Sequence, residues 1–269
     1  MKSLKRYFDR ALKEKWAIPQ FNISNLETLK AIAEAAKSLR SPVIIGTSEG
    51  ESGFLGLDRA VVLVDSFRKE SGLSLFLNLD HCHSLDYCKR AIDKGYNTCH
   101  FDGSKLLFDD NIKITKKLVK YAHKKNILVE GEIDEIGSAN LTDPNKAAFF
   151  CKKTGVDRLA LNIGTFHGKK GKVNISHLKK IKEKVGNLPL VLHGASGVKD
   201  EDIKEAIKLG ITKININTEL RMAFTNALKE VLGKNPDEVV PYKYMPKAIE
   251  AVRRSAEEKI RLFGSQNKA

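Results

Sequence analysis

Eight short runs rich in leucine and β-branched residues recur along the chain, and the stretches between them carry apolar residues at helical spacing. The runs are Trp16 to Asn22, Pro42 to Ser48, Leu75 to Asp80, Thr98 to Asp102, Ile127 to Ile133, Arg158 to Gly164, Leu188 to His193 and Lys213 to Thr218. Each has the length of a buried strand. Between them, Leu26, Leu29, Ile32 and Ala35, or Ile203, Ala206, Ile207 and Leu209 closed by Gly210, place apolar side chains on one helix face. Such alternation implies parallel strands joined by right-handed crossovers, and eight units in 269 residues fit an α/β fold of the (β/α)8 (TIM) barrel type better than an open sheet. No Pro, Gly or Ser linker divides the pattern, so residues 1–269 are expected to form one domain, with Tyr244 to Phe263 as an extra C-terminal helix. The opening MKSLKRYFDRALKEKW is basic and amphipathic, but Asp9 and Glu14 interrupt it and it runs straight into an apolar segment. It reads as a first helix, not a transit peptide.

Composition narrows the class. With 42% hydrophobic and 30% charged residues the chain can bury a large core, which excludes disorder, and no run reaches the roughly 18 apolar residues of a membrane span. The four cysteines, Cys82, Cys88, Cys99 and Cys151, form no CxxC pair, which points to a reducing, cytoplasmic setting. The formal charge of +14 favours anionic partners.

In such barrels chemistry sits at the C-terminal strand ends. The predicted strands deliver Asn22, Ser48, Asp80-His81, Asp102, Glu130-Gly-Glu132, His167, His193 and Asn215-Ile216-Asn217-Thr218 to one rim. Three neutral imidazoles, His81, His167 and His193, would leave a bound Zn²⁺ its full charge and an open position. His83 is a rival ligand, but it opens the next helix, where it or Ser84 would serve as a cap. His100, His123 and His177 read as structural. The segments His193-Gly-Ala-Ser-Gly197 and Asn215 to Thr218 follow strands seven and eight, where barrels commonly build phosphate sites from loop amides and a helix N-terminus.

Taken together, PQFNISNLE, PVIIGTSEG, LNLDHCHSLD, HFDGS, VEGEI, GTFHG, LVLHGASG and KININTELRMAF resemble the class II, zinc-dependent fructose-bisphosphate aldolases and their ketose-bisphosphate relatives over nearly the whole chain. The resemblance implies that His81, His167 and His193 hold catalytic Zn²⁺, that Asp102 and Glu132 hold a second or alternative metal, and that Asp80 is the catalytic acid and base. A second divalent or a monovalent cation is a further expectation. It implies that Gly168, Gly194, Ala195, Ser196, Asn215, Ile216, Asn217 and Thr218 bind the phosphate and backbone of dihydroxyacetone phosphate, with Asn22 and Ser48 nearby. The implied reaction is reversible cleavage of fructose 1,6-bisphosphate: Asp80 takes the C4 hydroxyl proton, and zinc stabilises the enediolate left when C3–C4 breaks. The expected partners are the sugar bisphosphate and triose phosphates, not nucleic acid or membrane, and the expected assembly is a homodimer or higher homo-oligomer.

Two segments depart from the family pattern. The glycine- and acid-rich loop after Glu132 is replaced by the shorter IDEIGSANLTDP, in which Asp134 or Glu135 is a substitute proton donor, water being the alternative. The segment before the last helix lacks the usual Arg, leaving Arg221, Arg253 and Arg254 as candidates for the distal phosphate. Four competing readings remain: cleavage of tagatose 1,6-bisphosphate, a Schiff-base aldolase, a nucleic-acid-binding protein, and a barrel that binds a phosphorylated ligand without catalysis. The Schiff-base reading would use Lys213, expected at the bottom of strand eight, away from the rim. The nucleic-acid reading has only the basic charge behind it, with no aromatic interleaving and no motif.

Overall fold

The computed structural model describes residues 3–166, 168 and 171–269. Eight parallel strands close into a barrel in which each pairs with the next and the last with the first. They are β1 (Ile18–Asn22), β2 (Val43–Ser48), β3 (Leu75–Cys82), β4 (Thr98–Asp102), β5 (Leu128–Glu132), β6 (Arg158–Leu161), β7 (Leu190–Leu192) and β8 (Ile211–Ile216). The helices are α1 (Leu4–Glu14), α2 (Leu26–Leu39), α3 (Glu49–Leu55), α4 (Leu57–Ser71), α5 (Leu85–Lys94), α6 (Phe108–His123), α7 (Pro144–Thr154), α8 (Ile175–Val185), α9 (Asp200–Lys208), α10 (Thr218–Lys234) and α11 (Pro241–Leu262). This is the expected (β/α)8 barrel with an extra C-terminal helix, and each of the eight predicted runs overlaps a strand.

Local chemistry sets the boundaries. Asn25 accepts the Thr28 N–H to start α2, Asp143 caps α7 with Pro144 in its first turn, and Ser84, not His83, caps α5. The sequence reading put strand eight two residues late. It starts at Ile211, so Lys213 lies inside the barrel and not at its bottom edge.

Alternation sorts each strand into two faces. Outward residues such as Phe21, Ile45, Leu77, Leu79, Phe101, Val129, Leu159, Leu192 and Ile214 join the helices in one large core. Inward residues begin with Ile18, Ile44, Phe76 and Leu128, which pack against Leu4, Tyr7, Phe8 and Ala11 of α1, so the first helix plugs the bottom. Above that plug the interior turns polar: Gln20, Asn78, His100, Glu130, Arg158 and Lys213 are all fully buried. TIM barrels more often fill this space with branched apolar side chains. Here buried polarity continues upward to the rim. Among the described residues no helix is long and apolar enough to cross a membrane.

Candidate active site

The polar interior opens at the C-terminal ends of the strands into a cavity of about 260 Å³. Its walls are Asn22, Ser48, Asp80, His81, Gly168, His193, Gly194, Ser196, Asn215, Asn217, Thr218 and Arg221. Asp102 and Glu132 lie just behind His81, with His81 Nδ1 at 3.2 Å from Asp102 Oδ2 and 3.7 Å from Glu132 Oε2. Ala195 and Ile216 do not line the cavity; their side chains pack in the outer core. His167 lies outside the described residues.

Asp80 and His81 are consecutive yet both face inward, which strict strand alternation forbids. A bulge resolves this. Leu79 pairs with Cys99 and Cys82 with Phe101, so two residues of β3 stand against the single residue His100 of β4. His81 takes up the extra length in a left-handed conformation, φ 46°, which is uncommon for any residue but glycine. Gly194 also has positive φ, 64°, and a Cβ there would lie 2.8 Å from the Phe166 carbonyl carbon, so only glycine lets this loop close on the rim.

The Asp80 carboxylate is nearly buried and doubly held: Asn22 Nδ2 donates to Oδ2 and Asn215 Nδ2 to Oδ1, both at 3.0 Å. Burial alone would raise its pKa, but His81, His100, Lys213 and His193 together hold it well below the ordinary carboxylate range. Glu51, which was not singled out from the sequence, organises the same corner. It closes a capping box with Ser48, accepts from Asn22 Nδ2 at 2.9 Å, and receives Asn217 and Arg221 on its other oxygen. The Ser48-x-x-Glu51 spacing was the readable signal.

The two described histidines of the expected ligand set face each other. His193 Nδ1 is 2.9 Å from His81 Nε2. Glu130 Oε1 accepts from His193 Nε2 at 2.8 Å, and Asp102 accepts from His81 Nδ1. These carboxylates favour hydrogens on the outer nitrogens and turn the two inner nitrogens toward one point, with Asn215 Nδ2 also 3.3 Å from His193 Nδ1. Although burial opposes it, Asp80 and Asp102 raise the pKa of the His81 imidazole, while burial and His81 lower that of His193. Glu132 Oε2 is buried without a hydrogen-bond partner, and burial raises its pKa. Two donor groups therefore suit a divalent cation, Asp80-His81-His100-His193 and His81-Asp102-Glu132.

His100 has a structural place, as read from the sequence, and a close one: its ring is fully buried beneath the site, 4.7 Å from His81 and 4.9 Å from His193 between centroids. His123 and His177 are structural as expected, pairing with Asp157 and with the Thr142 carbonyl. His83 is half exposed, with its ring nitrogen 2.9 Å from the Asp102 carbonyl oxygen.

Lys213 is bound to Glu130 at 2.8 Å, so its amine is committed to an ion pair. Arg253 and Arg254 are held by Glu250 and Glu257 on α11, away from the cavity, which leaves Arg221 as the one expected distal-phosphate cation on its wall. Neither Asp134 nor Glu135 lines the cavity. The same helix that carries Arg221, α10, begins at Thr218 with no side chain capping its first turn, so its leading amides lie at the cavity that Gly194 and Ser196 also line.

Comparisons with known proteins cover nearly the whole chain. The fructose-bisphosphate aldolase class-II family model matches residues 2–268. A fructose-bisphosphate aldolase from Geobacillus stearothermophilus is 38% identical over 282 residues, covering 99% of this chain and 98% of that relative. Among solved structures, the YdjI aldolase from Escherichia coli K12 superposes with a TM-score of 0.88 at 35% identity, covering 100% of this chain and 99% of that one. At 22% identity a fructose-bisphosphate aldolase from Campylobacter jejuni has the same fold, with a TM-score of 0.87 over 99% of this chain and 95% of that one.

Proposed function

The chain belongs to the class II fructose-bisphosphate aldolase family and is an aldolase, a carbon–carbon lyase, and from that premise we propose that it reversibly cleaves fructose 1,6-bisphosphate to dihydroxyacetone phosphate and glyceraldehyde 3-phosphate. The observation that carries this reading is a doubly held Asp80 carboxylate beside two histidine rings whose facing nitrogens lie 2.9 Å apart.

His81 and His193, with His167 as the third ligand, would hold zinc, and Asp102 with Glu132 would hold a second or alternative cation. Zinc bound there supplies a Lewis acid for the carbonyl and for the charge left on the three-carbon fragment. Asp80 accepts the C4 hydroxyl proton as C3–C4 breaks, and returns it in the condensation direction. His81, His100, Lys213 and His193 favour its ionised form, and its two amide donors hold it at the cavity. The open first turn of α10, with Gly168, Gly194, Ser196, Asn217 and Thr218 around it, receives one phosphate. Arg221, held by Glu51 on the cavity wall, meets the distal one. We read residues 1–269 as one domain. The four free cysteines support a cytoplasmic setting, and a homodimer or higher homo-oligomer is the assembly proposed.

Steady-state kinetics of the zinc-replete protein on fructose and tagatose 1,6-bisphosphates, read through triose phosphate release, test the reading. A higher kcat/KM on the fructose epimer is expected. Faster cleavage of the tagatose epimer would reassign the substrate, and no release from either would leave a phosphate-binding barrel.

A further inference from the structure

We propose that His100 is a positioning residue that locks the β3 bulge, taking the main-chain N–H of His81 on its Nδ1 and thereby aiming both Asp80 and His81 into the cavity. The proposal rests on the assignment of Asp80 and His81 above. A bulge leaves its extra residue outside the ladder, and a buried N–H without an acceptor is costly. Here the His81 N–H lies 3.2 Å from His100 Nδ1, contributed by the one residue that stands opposite the bulge. A side chain thus replaces the missing ladder bond and holds His81 at a positive φ of 46° that its backbone would not otherwise favour.

The direction of this bond fixes the ring. A main-chain N–H can only donate, so Nδ1 presents a lone pair and the ring hydrogen belongs on Nε2, which lies 3.1 Å from Glu132 Oε2 without completing a hydrogen bond to it. With its lone pair spent on His81, His100 supports the ligands and does not join them. The surrounding carboxylates of Asp80, Glu130 and Glu132 pull toward a charged ring; a hydrogen on Nδ1 would then face the His81 N–H head on. The two arrangements differ in a directly observable way.

Nitrogen NMR of the zinc-loaded wild-type protein, labelled at its histidines, reads the ring. The expected His100 signal is that of a neutral imidazole with hydrogen on Nε2 and a bare, metal-free Nδ1. A hydrogen or zinc on Nδ1 overturns the proposal. Two variants test the consequence. His100→Leu fills the space without an acceptor, whereas His100→Asn places its amide oxygen near the position of Nδ1. Loss of an outer-shell partner costs about 10–100-fold, so His100→Leu is expected to lower kcat and zinc affinity by that factor with KM little changed, and His100→Asn to recover most of the loss. Leu behaving like wild type, or Asn behaving no better than Leu, also overturns it. If His100→Leu does not fold, the wild-type spectrum still decides. Wild type inert on both sugar bisphosphates would refute the proposed function alone, since the ring state and zinc affinity are read without substrate.

Discussion

Glu130 is the most consequential side chain to perturb, because three partners depend on one carboxylate inside the barrel. Its Oε2 accepts from Arg158 Nε at 2.6 Å and Lys213 Nζ at 2.8 Å, and its Oε1 receives His193 Nε2 at 2.8 Å, with all four side chains fully buried. Burial would raise the Glu130 pKa, yet Lys213, His100 and Arg158 hold it well below its ordinary value; burial lowers that of Lys213 against the pull of Glu130. Glu130→Gln keeps the volume but strands two buried cations, a loss of about 3–5 kcal/mol. For 269 residues the unfolding entropy is about 0.6 kcal/mol per kelvin, so the melting temperature should fall by about 5–9 °C. Calorimetry of metal-free protein at pH 7 measures this apart from zinc binding. Adding Lys213→Met removes one stranded cation at similar volume, and the double variant should regain at least about 1.5 kcal/mol over the single one. A single variant within about 1 kcal/mol of wild type, or a double variant no more stable than the single, would refute the claim that Glu130 neutralises this interior.

Three shorter predictions follow from the same geometry. Asp80→Asn should cut kcat by about 10²–10⁴-fold while zinc content, measured by elemental analysis, stays near wild type. EDTA should abolish cleavage, zinc should restore it, and borohydride with substrate should leave no covalent adduct on Lys213; EDTA-insensitive turnover would reopen the Schiff-base route. Lys182, lowered to about 8 by burial and by Lys15, binds its proton less tightly when folded. Stability should therefore rise as pH climbs from about 8 toward 10.5, by about 1 kcal/mol after discounting for partial exposure. Urea melts across that range should lose this rise in Lys182→Met.

The architecture was legible because two periodicities carry it. Period two in the strands and 3.6 in the helices repeat eight times, and each crossover is forced by the parallel order. The rim residues were legible for a related reason: strand ends in a barrel converge, so polar residues far apart in sequence could be placed together before any contact was known. The same logic failed where it assumed regular strands. Asp80 and His81 can both reach the cavity only through the bulge, and the bulge makes His100 matter. No local signal in Thr98 to Asp102 distinguishes an inward His that supports a neighbour's backbone from one that fills space.

The interior charges were hidden for another reason. Glu130, Arg158 and Lys213 sit one per strand on β5, β6 and β8, and each looks alone like an isolated polar break in an apolar run. Their energetic sense appears only when the barrel closes and Glu130 faces both cations. Closure also ties this buried group to the proposed site, since the carboxylate that neutralises the interior also holds His193 Nε2 and so turns its other nitrogen toward His81. A polar core of this kind sacrifices some apolar burial, and it gains a rigid base beneath the ligands. The apolar plug of α1 closes the barrel below it, so the charges are buried from beneath as well as from the sides and interact more strongly than they would in water.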